Sequence, residues 1–193
     1  VYIHGSAIGY YPFNSNLSFD EDGLRGDGFL SQVVSQWEQA AVRAENKTRL
    51  VIIRTGVVLS SSGGFLGKIA MSVKLFSGGW FGNGNQMLSW IHIKDHVSAI
   101  KFLLENSTCS GVFNLTSEEP ITIRSFVKRL GAILNRPAWL PVPAFVLRLM
   151  FGKMADEVIL SNQNIIPKRL IQNGFKFEFS CIDDALHDLL AEK

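Results

Sequence analysis

The segment spanning residues 50–68, LVIIRTGVVLSSSGGFLGK, constrains the chain more than any other. It opens with Leu50-Val51-Ile52-Ile53, apolar and rich in β-branched residues, and continues through Arg54-Thr55-Gly56-Val57-Val58-Leu59. A strand with one face in water alternates apolar and polar residues. A nearly continuous apolar run belongs instead to a strand covered on both faces, as in a parallel sheet. Ser60-Ser61-Ser62-Gly63-Gly64 breaks the run, and residues 65–71 resume it with helical character. Strand, small-residue turn and helix make half of a βαβ unit, whose ligands sit beyond the carboxyl ends of the strands. A site is therefore expected around residues 56–67.

The rest of the chain follows the same grammar. Residues 1–5 read as a strand, 14–28 as a polar acidic loop, and 29–44 as a helix with Asp27 as its N-cap. In that helix Leu30, Val33, Val34, Trp37, Ala41 and Ala44 form one apolar stripe. Residues 78–85 read as a loop needing positive φ at several glycines. Residues 88–93 read as a short strand, 95–106 as a helix and 111–115 as a strand. Thr122 caps a helix that runs to Leu134 and is stopped by Asn135-Arg136-Pro137. Beyond Leu140 the texture changes to helical segments at 144–151, ended by Gly152, at 154–173, interrupted at Pro167, and at 181–192. Strands separated by helices predict an α/β fold with a parallel sheet over residues 1–138, followed by a small, mainly helical domain over 139–193.

With 47% hydrophobic and 19% charged residues, the 193-residue chain can bury a large core. A formal charge of +2 is too small to argue for nucleic acid, and the pairs Lys128-Arg129 and Lys168-Arg169 read as solvated helix faces. Cys109 and Cys181 show neither zinc nor disulfide-framework spacing, which suits a reducing, cytoplasmic setting. No apolar run approaches the roughly 18 residues of a membrane span, so no membrane partner is expected. The chain begins at Val1, as if already within a strand, which points to residues upstream or to a fragment.

Several constellations invite chemistry. Residues 62–68 resemble a phosphate-binding P-loop, but its first glycine falls one place late, and Ile69 stands where a Mg²⁺-binding Ser or Thr is required. Gly82-Asn83-Gly84 follows no strand and lacks a third glycine, so it is no dinucleotide fingerprint. A helix beginning near Gly64 presents free N–H groups to an anion; a plain loop-to-helix junction accounts for the same residues. His92 and His96 are four apart, yet no carboxylate or thiol completes a zinc shell, and no metal is expected. His92, between Ile91 and Ile93 and near Trp90, either lines a pocket or is a hydrogen-bonded structural histidine. Ser6 and Tyr10 fall just past the first strand. There a hydroxyl and a phenol can polarise or protonate a carbonyl oxygen, or the tyrosines simply wall a pocket.

Taken in order, Ser6-Ala7-Ile8-Gly9-Tyr10-Tyr11, Trp37-Glu38-Gln39-Ala40-Ala41, Arg54-Thr55-Gly56-Val57-Val58-Leu59, Gly63-Gly64 and Gly82-Asn83-Gly84 form a series. Ser89-Trp90-Ile91-His92-Ile93-Lys94-Asp95, Gly111-Val112-Phe113-Asn114, Pro167-Lys168-Arg169-Leu170 and Gly174-Phe175 continue it. The series resembles an extended short-chain dehydrogenase/reductase, in the atypical branch named for nucleoside-diphosphate-sugar epimerases with a C-terminal domain of unknown function. The resemblance implies a Rossmann-like sheet with a substrate-side C-terminal domain, and NADP as cofactor. It also implies that this chain is the C-terminal two-thirds of a longer protein, whose pyrophosphate-gripping turn lies upstream. Ser6 would hold the catalytic Ser/Thr position, with Gly56, Val57 and Val58 beside the nicotinamide. Tyr10, Gly63, Gly64, the 82–86 loop with Gln86, Trp90 and His92 would form the substrate side.

One departure bears on mechanism. The wider family uses Tyr-x-x-x-Lys on the helix after the acidic loop. Aligning Glu38 with the glutamate that often follows this motif puts Leu30 and Val34 at the tyrosine and lysine positions, and neither carries a proton. Tyr10 or Tyr11 could substitute, although a phenol with a pKa of about 10 is a poor base near neutrality without a nearby cation. The expectation is an NADP(H)-binding reductase or epimerase acting on an unidentified small molecule, a nucleotide sugar among the candidates, through Ser6 and Tyr10. The alternative is a catalytically inactive NADP-binding sensor or protein-interaction module of the same fold.

Overall fold

A computed structural model describes residues 1–76, 78–152 and 155–191. Its first half contains β1 (Tyr2–Ala7), β2 (Asn14–Phe19), α1 (Phe29–Val42), β3 (Leu50–Thr55), β4 (Val57–Leu59), α2 (Gly64–Lys74), β5 (Met87–Leu88) and β6 (Trp90–His92). The second half contains α3 (Ile93–Glu105), β7 (Gly111–Leu115), β8 (Ile121–Thr122), α4 (Ile123–Ile133), α5 (Ala144–Phe151), β9 (Asn162–Ile165), α6 (Lys168–Gln172) and α7 (Ile182–Ala191).

The apolar run is the middle strand of a parallel sheet ordered β1-β3-β7. Both faces of β3 are covered, as its sequence requires. Val51 and Ile53 pack with Phe113 and Leu115 against Ala99 and Leu103 of α3 and Leu170 of α6. Leu50 and Ile52, one residue out of phase, pack on the other face with Ala41 of α1. A second core joins α2, α4 and α7 around Trp90, Phe126 and Leu186.

The run does not continue as one strand through Leu59. Gly56 still donates its N–H to Leu115 O (3.0 Å), but Val57 donates to Ser89 O (2.8 Å), and β4 pairs in parallel with β6 instead. The chain changes sheets at Gly56 because only glycine fits there. A Cβ would lie 2.6 Å from Ser89 O and 2.8 Å from the Thr116 methyl.

Other local readings are corrected by long-range partners. The acidic loop contains β2, which pairs with β9. β9 lies inside the stretch read as helical from 154 to 173; Met154 itself lies outside the described residues, as does Glu192 at the end of the last helix reading. Asp27 does not cap α1. Gly28 is the N-cap residue, and the Glu157 carboxylate accepts from Phe29 N (3.3 Å) and Leu30 N (3.0 Å) across the fold. Trp37 leaves the stripe and is 54% exposed, because α1 turns Ser31, Val34, Ser35, Glu38 and Ala41 inward. The 88–93 strand ends at His92, which caps α3, so that helix begins at Ile93 rather than Asp95. The caps read for α4 and α5 are present: Thr122 accepts from Ser125 N (3.2 Å), and Gly152 closes α5 at φ +58°.

The steric demand at residue 56 is directly testable. Gly56→Ala is expected to destabilise the protein by about 2 kcal/mol, the usual scale of a forced core overlap, read as a lower urea midpoint with an unchanged m-value.

Candidate active site

Register assembles the polar centre. Ser6 pairs with Arg54, and Arg54 with Asn114, so three side chains stand in a row across one face of the sheet. The row lies near the carboxyl ends of the strands and faces α1. Ser6 Oγ donates to Glu38 Oε1 at 2.6 Å. Arg54 grips the same carboxylate through Nε and Nη2, each at 2.8 Å. Its Nη1 donates to the Tyr11 hydroxyl (2.9 Å), which donates in turn to Asn114 Oδ1 (2.8 Å). Arg54 is 4% and Glu38 7% exposed, while Tyr11 and Asn114 are fully buried. A bidentate guanidinium–carboxylate pair with its remaining donors satisfied is the arrangement that tolerates burial. Burial works against the Arg54 charge, but the Glu38 carboxylate and the Tyr11 phenol together outweigh it and raise the arginine pKa. Burial pushes the Tyr11 phenol up to about 12 despite the neighbouring arginine.

Tyr10 ends a short 3-10 turn, Ile8–Tyr10, beyond β1 and is half-buried. The Arg54 guanidinium carbon lies 3.4 Å from the centroid of its ring. A cation therefore stands against this tyrosine, supplied by β3 rather than by the helix where the wider family carries its lysine. Leu30 and Val34 do face the turn, with Leu30 Cβ 3.7 Å and Val34 Cγ2 3.9 Å from where a Cβ on Gly9 would be. The ionisable group that α1 presents lies one turn later, at Glu38. In the sequence Glu38 serves only to set a register and Arg54 is only part of a motif. The signal for both was a Glu and an Arg in otherwise buried patterns, which demands a partner.

The other expected site residues divide into an open and a closed group. Ser6, Gly56, Val57 and Val58 are half-buried. Gly63 and Gly64, at φ +142° and +68°, open α2 with no side-chain cap and with empty space where Cβ atoms would be. Trp90 and His92, by contrast, are fully buried. Trp90 Nε1 donates to Glu119 O at 3.0 Å. His92 stacks on Phe179 with ring centroids 3.9 Å apart, accepts from Lys94 N through Nδ1 (3.1 Å), and sets Nε2 3.2 Å from Asp188 Oδ2. His92 is thus the buried N-cap residue of α3. Gln86 is buried; its Nε2 donates to Phe81 O (3.0 Å), and its Oε1 has no hydrogen-bond partner among the described residues.

β9, which the sequence reading missed, runs beneath this centre. Gln163 Nε2 donates to Ile8 O (3.0 Å) and Tyr11 O (3.2 Å), holding the turn that carries Tyr10. Cavities of about 440 Å³ beside Asp20 and Lys168, and of about 380 Å³ between Phe13, Asn14, Arg148, Asp156 and Leu160, are not lined by Ser6, Tyr10 or Gly56. No group of His, Cys, Asp and Glu among the described residues could hold a metal ion.

A parallel sheet covered on both faces, with a hydroxyl and a glycine at the carboxyl ends of its strands, defines a Rossmann-like α/β fold. Residues 30–116 match the NAD dependent epimerase/dehydratase family, and residues 142–189 match a domain of unknown function, DUF1731. It is 37% identical over 190 residues to the chloroplastic homologue of epimerase family protein SDR39U1 from Arabidopsis thaliana, covering 98% of this chain and 54% of that one. The crystal structure of human epimerase family protein SDR39U1 (isoform 2) with NADPH superposes with a TM-score of 0.94 at 32% identity, over 99% of this chain and 65% of the human one. A nucleoside-diphosphate sugar epimerase from Corynebacterium glutamicum gives 0.80 at 29% identity, over 97% of this chain and 37% of that one. The chain thus spans roughly half to two-thirds of the first two relatives.

Two outcomes follow from the buried groups. Arg54→Met strands the Glu38 carboxylate and should cost about 3–5 kcal/mol of stability; pairing it with Glu38→Leu should restore most of that in a denaturation titration. Burial, opposed by Asp188 and Asp95, lowers the His92 pKa. The folded state then binds the proton less readily than the unfolded chain. The His92 contribution is complete above the unfolded value of about 6.5 and is lost as pH falls from there toward the depressed folded value. The urea midpoint should decline below about pH 6.5 and decline less in His92→Asn. A residual slope should come from His96, whose pKa burial also lowers.

Proposed function

We propose that this chain forms the nicotinamide and substrate side of an NADP(H)-dependent reductase or epimerase acting on a small carbonyl or hydroxyl compound, a nucleotide sugar being the favoured class. The observation that carries the reading is the Ser6–Glu38–Arg54–Tyr10 cluster at the strand ends. The residues present fit the nicotinamide end of the cofactor. Ser6, Gly56, Val57 and Val58 remain partly open while Arg54 and Leu59 beside them are buried, leaving a shallow wall with a hydroxyl at one end. The relatives that support NADPH and a nucleoside-diphosphate sugar are the human and Corynebacterium proteins. The bound dinucleotide would supply or accept the hydride.

The chain's own residues handle the proton. The Ser6 proton is directed at Glu38, so Ser6 Oγ turns its lone pairs outward and accepts from a substrate hydroxyl. As that hydroxyl loses its proton to Ser6 Oγ, the serine proton can move toward Glu38 Oε1. Arg54 fixes the carboxylate and, through its planar face, the Tyr10 ring, so Arg54 and Glu38 are positioning residues and Ser6 and Tyr10 the catalytic ones. The 82–86 loop with Gln86, Gly63 and Gly64 border the substrate. Residues 139–193 act as the substrate-side domain.

A second reading, an NADP-binding sensor without turnover, is favoured by Leu30 and Val34 at the places of the wider family's tyrosine and lysine. Titrating the intact protein with NADPH should raise nicotinamide fluorescence under both readings. On a panel of nucleotide sugars and small carbonyls, Ser6→Ala should lower kcat by about 100-fold. Glu38→Gln should lower kcat while leaving NADPH affinity within a few-fold. Turnover that survives both Ser6→Ala and Tyr10→Phe would sink the catalytic assignment; NADPH binding with no turnover on any substrate would favour the sensor.

A further inference from the structure

Ser6, Arg54 and Asn114 stand in one row across the sheet, and the Asn114 end of that row is closed to solvent. Asn114 and Tyr11 are fully buried, so their polar atoms need partners within the fold. Asn114 Nδ2 donates at 3.0 Å to the main-chain oxygen of Ile166, the residue after β9. A carbonyl oxygen only accepts, so the amide nitrogen has to face it and Oδ1 has to face Tyr11. The reversed amide would set two carbonyl oxygens against each other. It would also bring two donors, Nδ2 and Arg54 Nη1, against a phenol whose own proton then has no acceptor.

The remaining hydrogen bonds then run in one direction. Asn114 Oδ1 takes the single proton of the Tyr11 hydroxyl (2.8 Å), so the Tyr11 oxygen meets Arg54 Nη1 only as an acceptor (2.9 Å). Nε and Nη2 of Arg54 both go to Glu38, which takes the Ser6 proton as well. Together these bonds fix the guanidinium plane, whose face lies against Tyr10. The two adjacent tyrosines are thereby made unlike. Tyr11 commits its proton to Asn114, and burial pushes its pKa up to about 12, which keeps that proton in place near neutrality. Tyr10 is half-buried and meets Arg54 through its ring rather than its hydroxyl.

We propose that Asn114 is a positioning residue: it sets the direction of the Asn114–Tyr11–Arg54 hydrogen bonds, which holds Tyr11 as a structural phenol and leaves Tyr10 to exchange a proton with the substrate. The proposal rests on the reading of Ser6 and Tyr10 as catalytic. Asn114→Asp separates positioning from packing. Protonated, the introduced carboxyl donates to Ile166 O and accepts from Tyr11 as the amide does; ionised, it has no donor for Ile166 O. The titratable and charged groups around the position are Tyr11, Arg54 on β3, Glu21 after β2 and Arg169 on α6. Arg54 is already answered by Glu38, while burial and the Ile166 carbonyl favour the protonated form. The folded pKa of the introduced carboxyl therefore lies above its unfolded value of about 3.9. The variant falls behind the wild type as pH rises and recovers as pH falls.

Two readouts on the intact protein test this, and one needs no substrate. In a nitrogen–proton correlation spectrum, the Arg54 guanidinium signal is assigned by its loss in Arg54→Lys. Its protons should exchange with water about tenfold faster in Asn114→Leu, the scale of one hydrogen bond. In Asn114→Asp, exchange should match the wild type toward about pH 5 and outpace it toward about pH 8. With a substrate that turns over, kcat should follow the same pattern while KM and NADPH affinity hold. Adding Asn114→Leu to Tyr11→Phe should cost no more than about a further twofold in kcat, because one acts through the other. Guanidinium exchange that neither variant alters, a deficit in Asn114→Asp that is the same at every pH, or additive losses in the double variant would each overturn the proposal. Should Asn114→Leu fail to fold, Asn114→Asp and Tyr11→Phe carry the same comparison. Absence of turnover in the wild type defeats the catalytic reading instead, and guanidinium exchange then decides the inference alone.

Discussion

The Glu38–Arg54 pair is the interaction on which the architecture around the site turns. Its two members come from α1 and β3, and their remaining bonds reach β1 through Ser6, the following turn through Tyr10 and Tyr11, and β7 through Asn114. An uncompensated charge in that position would be far more costly than a missing apolar contact. The pair therefore dictates how α1 sits on the sheet: the inward face of the helix has to include Glu38, and Trp37 is turned out to solvent as a result. The same constraint brings a hydroxyl, a phenol and a cation together at the strand ends without the helix-borne tyrosine and lysine of the wider family.

A second device recurs through the fold: carboxylates that accept from main-chain amides distant in sequence. Glu21 receives Asn114 N and Arg169 N, Asp95 receives Glu178 N and Phe179 N, and Glu157 receives Phe29 N and Leu30 N. The Glu21 and Glu157 bonds close helix starts and a strand edge, and the Asp95 bonds hold the loop before α7, where the donors would otherwise be unpaired. Each also ties the C-terminal segment to the sheet or its covering helices. β9 also runs under the turn that carries Tyr10, held there by Gln163. Burial raises the Glu21 pKa, against the amide bonds that favour its charged form.

Much of the architecture was legible from residues 50–59, where apolar positions of both parities announced a doubly covered strand, and from the helix signals at Thr122 and Gly152. Ser6, Tyr10, Gly56 and the paired glycines lie at strand ends and turns, where the sequence put them. What escaped notice was polar and long-range. Asn162 to Ile165 carries no strand pattern of its own and becomes β9 because β2 lies alongside it. Glu38 and Arg54 each look like an ordinary charged residue until the register sets them face to face.

By itself the sequence determined the buried parallel strand, the alternation of strands and helices around it, and the α4 and α5 boundaries. These follow from periodicity, caps and residue chemistry, all of which act over a few neighbouring positions. Only the tertiary structure decided that the chain changes sheets at Gly56, that His92 serves as a buried cap, and that Arg54 supplies the cation beside Tyr10. Those outcomes depend on which distant groups meet at hydrogen-bonding distance. A buried polar atom must find a partner wherever the fold provides one, and the identity of that partner is not written in its neighbours.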